Sequence, residues 1–166
     1  IYLGFGSMAT NQAAQTNTAV AEALRITGMR AIVSQGWSDI AGGGDRILPC
    51  GHLPHTALFP RMSVIVHHGG AGTSWTAARS GTPQVVVPHI MDQPGWAIRL
   101  QALGLAAKPI PCQKLTASRL AEGLMEARRM GRGGAREAMR KTLEARDGLG
   151  EAVALLESMA RSRRLG

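Results

Sequence analysis

The stretch 64–93, VIVHHGGAGTSWTAARSGTPQVVVPHIMDQ, decides how this chain is read. Val64-Ile65-Val66 is a short apolar run of the kind a buried strand shows. It breaks into His67-His68-Gly69-Gly70-Ala71-Gly72-Thr73. Glycines there let the backbone approach a ligand and take conformations that other residues avoid. A helical stretch follows from about Ala71 to Ser80, and Gly81 with Pro83 stops it. Gln84-Val85-Val86-Val87 reads as a second buried strand, ended by Pro88. The glycines therefore sit where a strand feeds a helix N-terminus. Free N–H groups and the positive end of the helix dipole meet at such a point, and both suit an anion. His67 and His68 point to opposite faces of an extended strand end, so one of them faces the turn. A histidine there adds a donor worth about 1.5–3 kcal/mol when the bond is charge-assisted. The same turn also serves α/β proteins that bind nothing at it, and on the turn alone both readings stand.

The rest of the chain repeats the strand–turn–helix theme. Ile1 to Gly6 is a strand candidate ending in a second glycine turn, Gly6-Ser7-Met8, followed by helical spacing over 12–27 and the stop signal Gly28. A dinucleotide fingerprint requires a third glycine at position 9, where Ala stands, and an acid about 20 residues on, which is missing. Arg30–Ser34 is the next strand and Ile47–Cys50 a short third one. A short helix over 56–60 and a helix near 94–103 follow, then a last short strand over Gly104–Lys108. Thr116 is placed to cap a helix from Ala117 to Arg129. After a break at Gly131–Gly134, helices near 135–146 and 149–163 show Met and Leu spacing typical of core packing. The alternation predicts an α/β fold with a doubly wound parallel sheet, Rossmann-like, with ligand beyond the carboxyl ends of the strands.

Composition narrows the function. The chain has 166 residues, 45% hydrophobic and 18% charged, which fits a single globular domain, 1–166, with a real core. Its first residue is Ile, inside a strand pattern, so a fragment of a longer chain is expected. No run is long enough to span a membrane and no secretory signal is present. Cys50 and Cys112 form no CxxC and no metal spacing with His, and read as reduced thiols of a cytoplasmic protein. The net charge of +8 permits nucleic acid or anionic lipid as partner, but only 4% of residues are aromatic, few on which to stack bases. The excess charge lies toward the C-terminus and reads as a solvated basic helical end. A weak attraction to anionic membranes stays open. Asp92-Gln93 offers acceptors and a donor suited to neighbouring sugar hydroxyls, while Asp92 equally suits an N-cap of the helix after it.

HHGGAGT at 67–73, RSGTPQVVVP at 79–88 and Asp92-Gln93 together resemble the donor-binding signature of GT-B fold glycosyltransferases of family 1. The bacterial glycopeptide-antibiotic glycosyltransferases and the sterol 3-beta-glucosyltransferases are particularly similar, and the resemblance runs from Gly4 to about Leu124. It implies the C-terminal, donor-binding domain of an inverting transferase. The N-terminal domain, with the acceptor pocket and the general base, is absent from this chain. The isolated domain is then expected to bind donor but transfer nothing. The co-substrate is a UDP- or dTDP-sugar. The acceptor is a hydrophobic small molecule or lipid. The resemblance calls for no cofactor, and with no D-x-D in the chain a metal-clamped diphosphate is not expected. The resemblance assigns the diphosphate to His68, Gly70, Gly72 and Thr73, with Gly6 and Ser7 of the first turn beside it. It gives Leu53 a backbone contact to the base, and places Ser34 and Trp37 near base or phosphate. It gives the sugar hydroxyls to Asp92 and Gln93. Cys50 stands where plant members stack a Trp on the base, and Thr76 where many members hold ribose with Glu. Two other classes are weighed: a catalytically inactive nucleotide-binding regulatory module, and a basic nucleic-acid binder.

Overall fold

Alternation along the strands explains how the sheet is covered. The structure, a computed structural model, describes residues 1–5, 13–34, 44–51 and 53–163. Five parallel strands, β1 (Tyr2–Gly4), β2 (Ala31–Ser34), β3 (Ile47–Cys50), β4 (Ile65–His67) and β5 (Gln84–Val86), lie in the order β3-β2-β1-β4-β5. Leu3, Phe5, Val64, Val66, Val85 and Val87 point to one face, into a core shared with α1 (Ala13–Thr27) and α5 (Ala117–Met130). The residues between them point to the other face, as strand geometry demands. There Tyr2 and Ile65 meet Phe59 and Ala77, while Val86 meets Ala97 and Leu100. That second face is covered by α2 (His55–Leu58), α3 (Ala71–Ser80), α4 (Gln93–Ala102) and α6 (Ala135–Glu144). The chain winds outward from β1 to β3, then returns to the other side of β1 with β4. The order of strands thus reverses between β1 and β4, and a crevice opens beyond their carboxyl ends.

Helix boundaries follow their chemical signals. Gly81 closes α3 in the left-handed conformation, φ 67°, and Thr116 caps α5 by accepting Arg119 N–H at 3.3 Å. Three expectations need correction. Gly104–Lys108 is no full strand: it makes a single parallel bridge, Gln84 to Ala106. α7 (Gly148–Arg163) does not bury its apolar spacing, since Leu149, Leu155 and Leu156 are exposed at 78%, 62% and 66%. The basic C-terminal half is not simply solvated either. Arg136 is buried and donates to the carbonyls of Gly131, Gly104 and Met130, and Arg132 donates to those of Pro60 and Met62. Among the described residues no helix is long and apolar enough to cross a membrane, and Cys50 and Cys112 are unpaired thiols.

Candidate functional site

At the reversal point, β4 delivers the two histidines to opposite sides. His67 is fully buried, and His68, half-buried, leans its ring over the start of α3: a Cβ on Gly70 would lie 2.5 Å from His68 Nε2. Gly70 is the N-cap of α3, with extended φ −62° and ψ 143°. The first N–H of the helix to find a carbonyl is that of Ser74, which donates to Gly70 O at 2.9 Å. The N–H groups of Ala71, Gly72 and Thr73 therefore have no partner within the helix, the usual state of a helix start. Beside them lie the Thr73 side chain and the His68 imidazole. Burial pushes the pKa of His68 down, as does His89 nearby, while the Asp92 carboxylate and the Gly4 backbone pull it back. A neutral ring that carries one N–H is the result at neutral pH. Its Nδ1 is buried and makes no hydrogen bond to a described residue.

A cavity of about 140 Å³ opens next to this turn, lined by Tyr2, Gly4, Ser34, Cys50, Gly51, Leu53, His55, His68 and Thr73. Four residues assigned from the sequence, Ser34, Leu53, His68 and Thr73, thus share one wall system at the carboxyl ends of the strands. Gly70 and Gly72 adjoin it on α3. Gly6, Ser7 and Trp37 lie outside the described residues. The cavity is smaller than ordinary ligand pockets of roughly 300–1,000 Å³, so it fits one part of a ligand rather than the whole. A larger cavity, about 690 Å³, is lined among others by Ile1, Arg30, Arg46 and Arg128 at the amino ends of the strands. Open parallel sheets bind ligands at the other end, so the smaller cavity is the better candidate.

Tyr2 and His55 also line the cavity, and neither was singled out by the sequence. Tyr2 Oη and His55 Nε2 are hydrogen-bonded at 2.9 Å, and His55 stacks on Phe59 with ring centroids 4.4 Å apart. His55 opens α2 and lines the cavity. Ser34 hydrogen-bonds the Tyr2 phenol and pulls its pKa back from the upward push of burial. The available signal was spacing: Tyr2 and Gly4 share one face of β1, and the Tyr2 hydroxyl occupies the space a Cβ on Gly4 would need.

Asp92 and Gln93 open α4. Asp92 stands at the N-cap position, but its side chain caps nothing; Oδ2 instead accepts Trp96 Nε1–H at 2.8 Å. The carboxylate is exposed and its Oδ1 is left to accept. Gln93 is buried, and its Oε1 accepts the N–H of His89 at 2.8 Å and of Ile90 at 3.2 Å. Its Nε2 is the amide group left to donate. The Gln93 clamp shapes the preceding turn, in which Met91 takes the left-handed φ of 56° and is 87% exposed.

Comparison with known proteins places this geometry in context. Residues 11–151 match the family described as "Erythromycin biosynthesis protein CIII-like, C-terminal domain". The vancomycin aglycone glucosyltransferase of Amycolatopsis orientalis is 38% identical over 129 residues, covering 75% of this chain and 31% of that protein. The sterol 3-beta-glucosyltransferase UGT80A2 of Arabidopsis thaliana is 34% identical over 127 residues, covering 75% of this chain and 20% of the relative. The chain spans about a tenth to a third of the length of the curated relatives it matches. Among solved structures, the glycosyltransferase VinC in complex with DTDP superposes with a TM-score of 0.78 at 26% identity, over 97% of this chain and 41% of that one.

Proposed function

Since the chain belongs to the family of the erythromycin biosynthesis protein CIII-like C-terminal domain, we propose that it is the donor-binding half of an inverting glycosyltransferase. Its ligand is a UDP- or dTDP-sugar. The observation that carries this reading is the convergence of His68, Thr73, Ser34 and Leu53 on one cavity at the strand-reversal point, beside the open start of α3. VinC, a relative by structure, is described with DTDP, which supports the same ligand class here.

In this reading the diphosphate lies on the N–H groups of Ala71, Gly72 and Thr73, and His68 donates its single N–H to it. An acceptor hydroxyl attacks the anomeric carbon. The bond from that carbon to the diphosphate oxygen breaks, and the nucleoside diphosphate leaves with the electron pair. Charge then grows on the leaving group, where the helix start and His68 stabilise it more than in the ground state. The proton of the acceptor goes to a base that this chain does not supply. Asp92 Oδ1 and Gln93 Nε2 orient sugar hydroxyls. The acceptor, a hydrophobic small molecule, lipid or sterol, is held by a partner domain N-terminal to this one.

The test is a thermal shift of the domain with UDP, dTDP and NAD, in the wild type and in His68→Ala. A ligand at 100 times its dissociation constant stabilises by about 2.7 kcal/mol. The expected result is a rise with UDP or dTDP, none with NAD, and a rise much reduced in His68→Ala. An equal rise in the variant places the ligand away from the glycine turn.

A further inference from the structure

The fully enclosed His67 takes no place in the chemistry proposed above, yet its ring is fixed at both nitrogens. Gly69 N–H donates to His67 Nδ1 at 3.1 Å, so Nδ1 holds a lone pair. A neutral imidazole then carries its proton on Nε2, and that proton is donated to Gln84 Oε1 at 2.9 Å. Burial drives the His67 pKa down to about 4, which keeps the ring neutral at ordinary pH. Gln84 lies on β5, next to β4, so the ring ties the glycine turn to the neighbouring, outermost strand of the sheet.

The other side of the turn is fixed as well. Gly69 has φ +90°, and a Cβ there would lie 2.9 Å from Val86 Cγ1 and 3.1 Å from Gln93 O. The Gly69 N–H is thereby turned inward, onto His67, and is not offered to a ligand. The donors that remain are one turn further on, at Ala71, Gly72 and Thr73.

We propose that His67 is a positioning residue: by taking up the Gly69 N–H through Nδ1, it sets the turn so that an anion is met by the first N–H groups of α3 and by His68, not by Gly69. This rests on the reading of the turn as a diphosphate site, and the test separates the two. Asn at position 67 keeps an acceptor at the distance of Nδ1 but cannot reach Gln84. Gln at position 67 keeps a donor at the distance of Nε2 but offers Gly69 no acceptor. His67→Asn and His67→Gln are compared with the wild type by melting temperature, by amide exchange at Gly69 followed by NMR, and by titration with UDP, dTDP and pyrophosphate.

The expected result is that both variants melt lower, while Gly69 stays protected only in the wild type and His67→Asn. Nucleotide affinity falls about tenfold in His67→Gln, equivalent to one lost hydrogen bond of about 1.4 kcal/mol, and less in His67→Asn. Equal behaviour of the two variants at Gly69, or affinity losses that follow melting temperature alone, overturns the proposal. So does a Gly69 amide that exchanges freely in the wild type. If the wild type binds none of the three ligands, the functional reading fails, and the exchange at Gly69 still decides the role of His67.

Discussion

A single peptide bond separates a histidine that is fully enclosed from one that leans over the start of a helix. Strand alternation already puts them on opposite faces, so that division is legible in the residues. Which of the two is enclosed is not, because it depends on Gln84, brought in by a strand that follows a helix later. The glycines differ in a similar way. Gly69 sits at φ +90° against Val86 and Gln93, so Gly69→Ala combines backbone strain with overpacking and should cost about 2–4 kcal/mol. Gly72 has nothing within 4 Å of a built Cβ and lies inside α3. Gly72→Ala should leave stability unchanged or raise it by up to about 1 kcal/mol through helix propensity. In the proposed site its methyl group projects where the diphosphate approaches, so nucleotide affinity should fall about tenfold. Melting curves and nucleotide titration of the two variants check this. A Gly72→Ala protein that binds as tightly as wild type removes the start of α3 from the site.

At the scale of elements, the corrections have causes in the residues. The run from Leu105 to Cys112 does follow the edge of β5: Gln84 N–H donates to Leu105 O, Ala107 N–H to Gln84 O, and Ile110 N–H to Val86 O. Pro109 and Pro111 have no N–H to give, so no regular ladder forms and one bridge is all that results. For α7, helical spacing of Leu149, Val153, Leu156 and Met159 predicts an apolar stripe, but periodicity does not say what the stripe meets. Neither does charge say where an arginine ends. Arg136 comes from a glycine-broken basic run, yet it gathers the carbonyls at the end of α5 and after α4, where a cation also suits the helix dipole. Arg136→Met leaves those part-buried carbonyls without their donor. It should destabilise by about 3 kcal/mol, read by urea unfolding, and Arg136→Lys should recover little of it, since one ammonium cannot span the fork. A loss below about 0.5 kcal/mol assigns the carbonyls to water.

For the whole molecule, the buried histidines set how stability depends on pH. His67 titrates at about 4 in the folded state, against an ordinary value of 6.5. Between those values the unfolded chain holds more protons, so unfolding is favoured as pH falls from about 6.5 towards 4. The loss from His67 alone is on the order of 3 kcal/mol over that window. His68 and His89, also lowered by burial, act in the same direction. Glu22 and Glu137, lowered by Arg25 and Arg140, act only below their ordinary 4.5. Denaturant unfolding at pH 7 and pH 5 should therefore differ, and His67→Asn should flatten the difference. Equal stability of the wild type at both pH values contradicts the enclosure of His67.

The parallel winding has a kinetic side. Gly4 is paired with His67, and both belong to the rim of the crevice. No β-α unit folded on its own contains both. The crevice comes into being only when the chain closes the long loop from position 4 to position 67, among the slower events in the folding of a parallel sheet. Competence to bind is therefore acquired late and all at once, together with the middle of the sheet, and a partly folded chain is an empty-handed one.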